Sequence, residues 1–225
     1  MPVIIFDLFG TLIEKEQYDY DKALNWLADT YFKHKYQEIQ ELSSVFKRHY
    51  MELRKVSDIE SSFQEQLLFF ENELGIRIPV DYGIVEIDFI NHFRKEKLID
   101  GASELLQYLH NKDYRIFILS NSLFAGSSLK AYLGEFHISH YVEKVYSSAD
   151  IGYRKPSSVI FQTVLYDLGI HNPGRVFYIG DSIEKDYLGA MKSGLTPILV
   201  SHTSAVDGLS FANLHLLLEY FKGLD

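Results

Sequence analysis

Four short apolar runs stand out along the chain: Val3 to Phe6, Arg115 to Leu119, Arg175 to Ile179 and Pro197 to Val200. None alternates cleanly between apolar and polar positions, the pattern expected of strands covered on both faces of a parallel sheet. A weaker candidate strand runs from Glu143 to Ser148. Helical periodicity recurs between these runs, in GASELLQYLHNK, SSLKAYLGEF, PSSVIFQTVLYDLG and SIEKDYLGAMKSG. Strand and helix therefore alternate from about residue 98 onward, which predicts a doubly wound α/β domain with right-handed crossovers.

One stretch breaks the alternation. Between about Glu14 and Lys97 no strand pattern emerges. Amphipathic helical patterns take its place: DKALNWLADTYFKH, IQELSSVFKRHYMELRKV, SSFQEQLLFFENELG and YGIVEIDFINHFRKE, the last two punctuated by Gly75 and Pro79. The reading is a core made of residues 1–14 and 97–225 with a helical insert, residues 15–96, following the first strand. Such an insert is long enough to form a small bundle of its own. It hangs over the carboxyl end of that strand, where it can act as a lid.

Composition narrows the function classes. The chain has 225 residues, 47% of them hydrophobic, enough for a substantial core. A formal net charge of -9 without a long basic run argues against nucleic acid and against an anionic membrane surface. The absence of cysteine removes disulfides, thiolate metal sites and a cysteine nucleophile. No run approaches the roughly 18 apolar residues of a membrane helix, and no signal-like segment opens the chain. The expectation is a cytoplasmic protein, monomeric or homodimeric. Tyr and Phe, 16 each, are scattered through periodic segments and read as core packing.

In open parallel sheets, ligands bind beyond the carboxyl ends of the strands. There the chain places Asp7 after the first run, Ser120 and Asn121 after the second, and Asp181 after the third with Asp186 beyond it. A loop ending in Arg154, Lys155 and Pro156 follows the weaker strand. Each residue alone also suits a turn or a helix cap. Together they describe a phosphate site. Asp7 and Asp181 are hard oxygen ligands suited to Mg²⁺, and Asp7 is a candidate nucleophile toward phosphorus. Ser120 offers a hydroxyl, and Lys155 a positive charge, to phosphoryl oxygens. Pro156 is expected at the first position of a helix whose positive end faces the site. Asp186 is placed to hold Lys155 or a metal-bound water.

The set resembles the haloacid dehalogenase-like (HAD) superfamily of hydrolases across nearly the whole chain. DLFGT, Asp7 to Thr11, matches the family's first motif, and Ser120 in ILSNS its second. Lys155 in GYRKPSSVIF matches the third, and Asp181 with Asp186 in YIGDSIEKD the fourth. The resemblance implies a Rossmann-like doubly wound core with an inserted α-helical first-type cap. It also implies Mg²⁺ held by Asp7, Asp181 and the backbone carbonyl of Phe9, with Asp186 behind them. Catalysis would fall to Asp7, Thr11, Ser120 and Lys155 and substrate contacts to Phe9, Gly10 and Asn121. Lys47 and Arg48, in SVFKRHY, are further substrate-binding candidates from the insert; surface decoration is their plainer reading.

Phe9 departs from the pattern. Family phosphatases carry there an aspartate that acts as general acid and then as base. Phenylalanine can do neither, a loss typically of about 10² to 10⁴-fold in rate. Family dehalogenases carry an aromatic at this place and use no metal, yet they lack the paired acids of the fourth motif. The residues therefore favour a Mg²⁺-dependent phosphatase of a small phosphorylated metabolite. A metal-independent 2-haloacid dehalogenase and a catalytically weak phospho-ligand-binding or regulatory protein stand as alternatives.

Overall fold

The structure is a computed structural model that describes residues 2–203 and 206–224. The chain runs from β1 (Val3–Phe6) through a turn at Gly10 into β2 (Ile13–Tyr18). Helices α1 (Tyr20–Tyr31), α2 (Tyr36–Val56), α3 (Phe63–Leu74) and α4 (Tyr82–Phe93) follow, and β3 (Arg94–Leu98) returns the chain. Next come α5 (Ala102–Asn111), β4 (Arg115–Ser120), α6 (Gly126–Tyr132), β5 (Lys144–Ser147), α7 (Ser148–Ile151), α8 (Ser158–Asp167) and β6 (Val176–Gly180). A π-helical turn, Ile183–Leu188, leads into α9 (Gly189–Lys192), β7 (Thr196–Val200), β8 (Ser210–Phe211) and α10 (Leu214–Lys222).

The main sheet has the order β5-β4-β1-β6-β7-β8, with every neighbouring pair parallel. This is the α/β, doubly wound architecture expected. The central strand shows why its residues are apolar throughout. Ile4 and Phe6 pack into one core cluster, Ile5 into the cluster on the opposite face. A strand buried on both sides has no polar face to show. Phe6 lies level with Ile118 of β4 and Ile179 of β6, so the residues that follow all three strands emerge at one edge. The Asp7 amide extends that ladder by one bond, to the Ile179 carbonyl at 2.8 Å.

The structure corrects three expectations. Strands do occur between residues 14 and 97: β2 and β3 pair as an antiparallel ribbon. Their sequences, IEKEQY and RKEKL, are almost wholly polar, so no hydrophobic pattern betrays them. Cross-strand charge pairs accompany the ribbon, Lys97 with Glu14 at 3.1 Å and Lys95 with Glu16 at 3.2 Å. Pro156 does not open a helix; α8 begins at Ser158 and is capped by Ser157, so its N-terminus satisfies itself. The segment from Ser182 opens as a π-helical turn rather than a regular helix. β8 lacks any sequence signal, being two residues long.

The helical segment is sewn to the sheet. The Glu86 carboxylate of α4, fully buried, accepts from the Ala125 amide at 2.7 Å and the Ser128 hydroxyl at 2.9 Å. Glu60, just before α3, accepts from the Ser148 hydroxyl at 2.7 Å. Arg154 donates to the carbonyls of Arg54 and Ser57 at 2.8 and 3.0 Å.

Burial, against the two hydrogen bonds, pushes the Glu86 carboxyl up to about 7. A raised acid favours the folded state while protonated, so its contribution declines as pH rises from the ordinary carboxylate range toward 7. Glu86→Gln, which stays neutral, should gain stability relative to the native chain over that window, by up to ~1.4 kcal/mol per pH unit. Urea unfolding of both proteins between pH 5 and 8 checks this; a difference independent of pH would contradict it.

Candidate active site

Each predicted site residue can be traced to its element. Asp7 follows β1 directly, and its carboxylate is buried. Its Oδ2 accepts from the Thr11 hydroxyl at 3.1 Å. Its Oδ1 accepts from the Lys155 ammonium at 2.6 Å. The tight turn at Gly10 (φ +94°) makes the Thr11 contact possible, and a Cβ on Gly10 would lie 2.6 Å from Asp181 Oδ2. Glycine is therefore required twice at this point, for the left-handed backbone and for the close approach of a carboxylate.

Lys155 is buried and fully engaged. It donates to Asp7 Oδ1, to Asp186 Oδ1 at 2.7 Å and to the Tyr178 hydroxyl at 2.8 Å. Its backbone is pinned by Asn121, whose side chain accepts from the Lys155 amide at 2.7 Å and donates to its carbonyl at 2.9 Å. Asn121 is thus a clamp on the lysine loop rather than a helix cap. Asp186 is saturated: Oδ1 takes Lys155 and Tyr178, and Oδ2 accepts from the Ser182 amide at 3.0 Å. Asp186 and Lys155 thus form a buried ion pair.

Ser120 is fully buried, and its hydroxyl has no partner among the described residues. A buried orphan donor carries a desolvation cost unless something arrives to accept from it. Lys47 and Arg48 are both exposed on α2, and neither lines the cleft around Asp7. The structure does not bring them to the other candidates.

That cleft, of about 520 Å³, is lined by Asp7, Phe9, Asn121, Lys155, Asp181 and Asp186, together with Ser182, Ile183 and Lys185. Asp7, Asp181 and Asp186 each offer an oxygen within 4.8 Å of the others. Burial pushes Asp7 up to about 7, with Asp186 and Asp181 adding repulsion and Lys155 opposing both. Burial and the Asp186 charge raise Asp181 as well. Burial works against the Lys155 ammonium, but Asp186 and Asp7 outweigh it and hold Lys155 above its usual value. Three carboxylates against one ammonium leave surplus negative charge, carried on hard oxygen donors. The donor set fits a divalent cation such as Mg²⁺.

Sequence reasoning missed Tyr178 and Arg94. Tyr178 sat inside an apolar run and read as core; the available signal is that a buried tyrosine hydroxyl usually needs a partner. Arg94 lay in a segment read as helix. Its guanidinium sits 4.3 Å from the Phe9 ring centroid and within 5.2 Å of those of Tyr18, Phe93 and Phe124, and it pairs with Glu96 at 3.0 Å. Phe9 is thereby one wall of an aromatic box around a cation.

A family model described as haloacid dehalogenase-like hydrolase matches residues 4–200, and the chain belongs to that family of hydrolases. It is 33% identical over 95 residues to glyceraldehyde 3-phosphate phosphatase of Methanothermobacter thermautotrophicus, a match covering 41% of this chain and 40% of that protein. It is 28% identical over 137 residues to the pyrimidine 5'-nucleotidase YjjG of Escherichia coli, covering 60% of each. The chain thus spans about half the length of the curated relatives it matches. Its fold superposes on a 2-haloacid dehalogenase of Pseudomonas syringae with a TM-score of 0.64 at 16% identity, covering 100% of each chain. That likeness concerns the fold.

Removing the ammonium tests the electrostatics. Lys155→Met leaves the buried carboxylates of Asp7 and Asp186 without their cation and should cost about 3–5 kcal/mol of stability near pH 8. Denaturant unfolding measures it; a loss below about 1 kcal/mol would mean that the buried pairing is not what holds the loop.

Proposed function

We propose that the protein is a Mg²⁺-dependent phosphatase acting on a small phosphorylated metabolite through an aspartyl-phosphate on Asp7. The observation that carries this reading is the convergence of Asp7, Asp181 and Lys155 in one cleft, with Ser120 at the end of the neighbouring strand β4. The two curated relatives, a phosphatase and a nucleotidase, lend support. We read residues 15–96 as a cap over this cleft.

In this reading Asp7, Asp181 and the Phe9 carbonyl hold the cation, and Asp186 stays behind Lys155. Bound Mg²⁺ would supply positive charge against the phosphoryl oxygens. Thr11 and Lys155 fix the Asp7 carboxylate by one hydrogen bond to each oxygen. Ser120 donates its hydroxyl to a phosphoryl oxygen. Asp7 forms an O–P bond while the bond from phosphorus to the leaving oxygen breaks, the electron pair departing on that oxygen. Water then attacks phosphorus, restoring the Asp7 carboxylate and releasing inorganic phosphate.

Phe9 supplies no proton to the leaving oxygen. Turnover should therefore be slow on alkyl phosphomonoesters and fall steeply as the leaving group becomes more basic. Phe9 also favours a second reading, dehalogenation without metal. The surplus negative charge around Asp7 opposes it, because a carboxylate substrate would be repelled.

Rates on acetyl, phenyl and glycerol phosphates, with Mg²⁺ and with chelator, test the proposal. Activity should require Mg²⁺ and vanish in Asp7→Asn. Phe9→Asp should raise glycerol phosphate turnover at least tenfold and flatten the dependence on leaving group. Halide release from a 2-haloacid in the presence of chelator would overturn it.

A further inference from the structure

A cavity of about 300 Å³ lies between the helical segment and the loop after β4. Its walls are Tyr20, Phe46, Tyr50, Met51, Phe93 and Leu123. We propose that it seats the apolar, ring-sized body of the substrate whose phosphoryl group sits at Asp7, making aryl phosphates the preferred class. The inference rests on the phosphatase reading and narrows it.

The polar atoms at the cavity wall are already engaged. The Tyr20 hydroxyl donates to Gln66 Oε1 at 3.1 Å, and the Gln66 amide donates to Ser43 at 3.2 Å. The Tyr50 hydroxyl donates to Glu60 at 2.7 Å. Lys47 lines the same cavity while remaining exposed, the posture of a lysine whose stem covers apolar surface and whose head stays in water. What remains for a ligand is apolar surface, in a volume at the lower end of small-molecule sites.

The walls are held in place without a ligand. The Phe63 amide bonds the Leu123 carbonyl at 2.8 Å, tying α3 to the loop that forms the floor. Glu60 receives Tyr50 from one side and Ser148 from the other. A seat built this way loses little entropy on filling.

Two relations bring walls of the cavity near walls of the cleft. Leu123 lies two residues beyond Asn121, a span of at most about 7 Å. Phe93 is 5.2 Å from the Arg94 guanidinium, which stacks on Phe9 at 4.3 Å. Phe9 and Asn121 both line the cleft around Asp7.

The chemistry selects the same class independently. With no acid at residue 9, the leaving oxygen departs unprotonated. A phenol ionises near 10, as tyrosine does, and so leaves as its anion far more readily than an alkoxide. The P–O bond to the ring breaks with its electron pair on the phenolic oxygen, which takes a proton from solvent, and water hydrolyses the aspartyl-phosphate as above.

Non-hydrolysable phosphonates separate binding from turnover. In calorimetry with Mg²⁺, 1-naphthylmethylphosphonate should bind at least tenfold more tightly than methylphosphonate. Met51→Glu, at an exposed wall position, and Phe46→Ser should each bring that ratio toward one. Equal binding by the native protein, or a ratio that survives both substitutions, would overturn the seat. Acetyl phosphate turnover without any binding preference would overturn the seat and leave the phosphatase reading standing. A binding preference without turnover of acetyl or phenyl phosphate would support the seat and overturn that reading.

Discussion

The Lys155 ammonium, buried between the carboxylates of Asp7 and Asp186, is the contact on which the site depends. Three separate chain segments meet in it: the end of β1, the loop before α8 and the turn after β6. Breaking such a buried pair costs far more than breaking one at the surface, because the charges cannot retreat into water. The rest of the site is arranged to keep that lysine where it is. Asn121 clamps its backbone, Tyr178 takes its third hydrogen, and the Ser182 amide fixes the far side of Asp186.

The lysine loop is also where the helical segment is attached. Arg154, next to Lys155, reaches the C-terminal carbonyls of α2, and its amide bonds the Asp58 carbonyl at 2.8 Å. The Glu60 amide bonds the Gly152 carbonyl at 2.9 Å. A displacement of the helices would therefore pull on the residues just before Lys155. Glu60 also accepts from Tyr50 in the wall of the apolar cavity, so that wall and the lysine loop share one mechanical frame.

Much of this was legible in the sequence because buried parallel strands announce themselves. VIIF, RIFIL, RVFYI and PILV have no polar face, and the polar residues that follow them emerge together at one sheet edge. Asp7, Ser120 and Asn121 stand directly after such runs and Asp181 one residue further along, while Lys155 and Asp186 lie elsewhere in the chain. The charged ribbon β2–β3 was not, since its stability comes from cross-strand pairs rather than a buried face. Arg94 was lost with it, and with Arg94 the reason Phe9 has a packed partner. Tyr178 was hidden because one hydroxyl does not alter an apolar pattern. The contacts of Glu60, Glu86 and Arg154 join residues distant in sequence, and no local spacing reveals them. Lys47 and Arg48, whose plainer reading is surface decoration, do not line the cleft around Asp7, and Lys47 lines the apolar cavity instead.

The account stands or falls on whether Asp7 and Asp181 share a divalent cation. Titrating the protein with Mn²⁺ as a stand-in for Mg²⁺, followed by electron paramagnetic resonance, reads this directly. One site per chain is expected, with affinity weakened at least tenfold in Asp181→Asn and competed by Mg²⁺. Binding that is indifferent to the loss of the Asp181 charge, or no site at all, would contradict it.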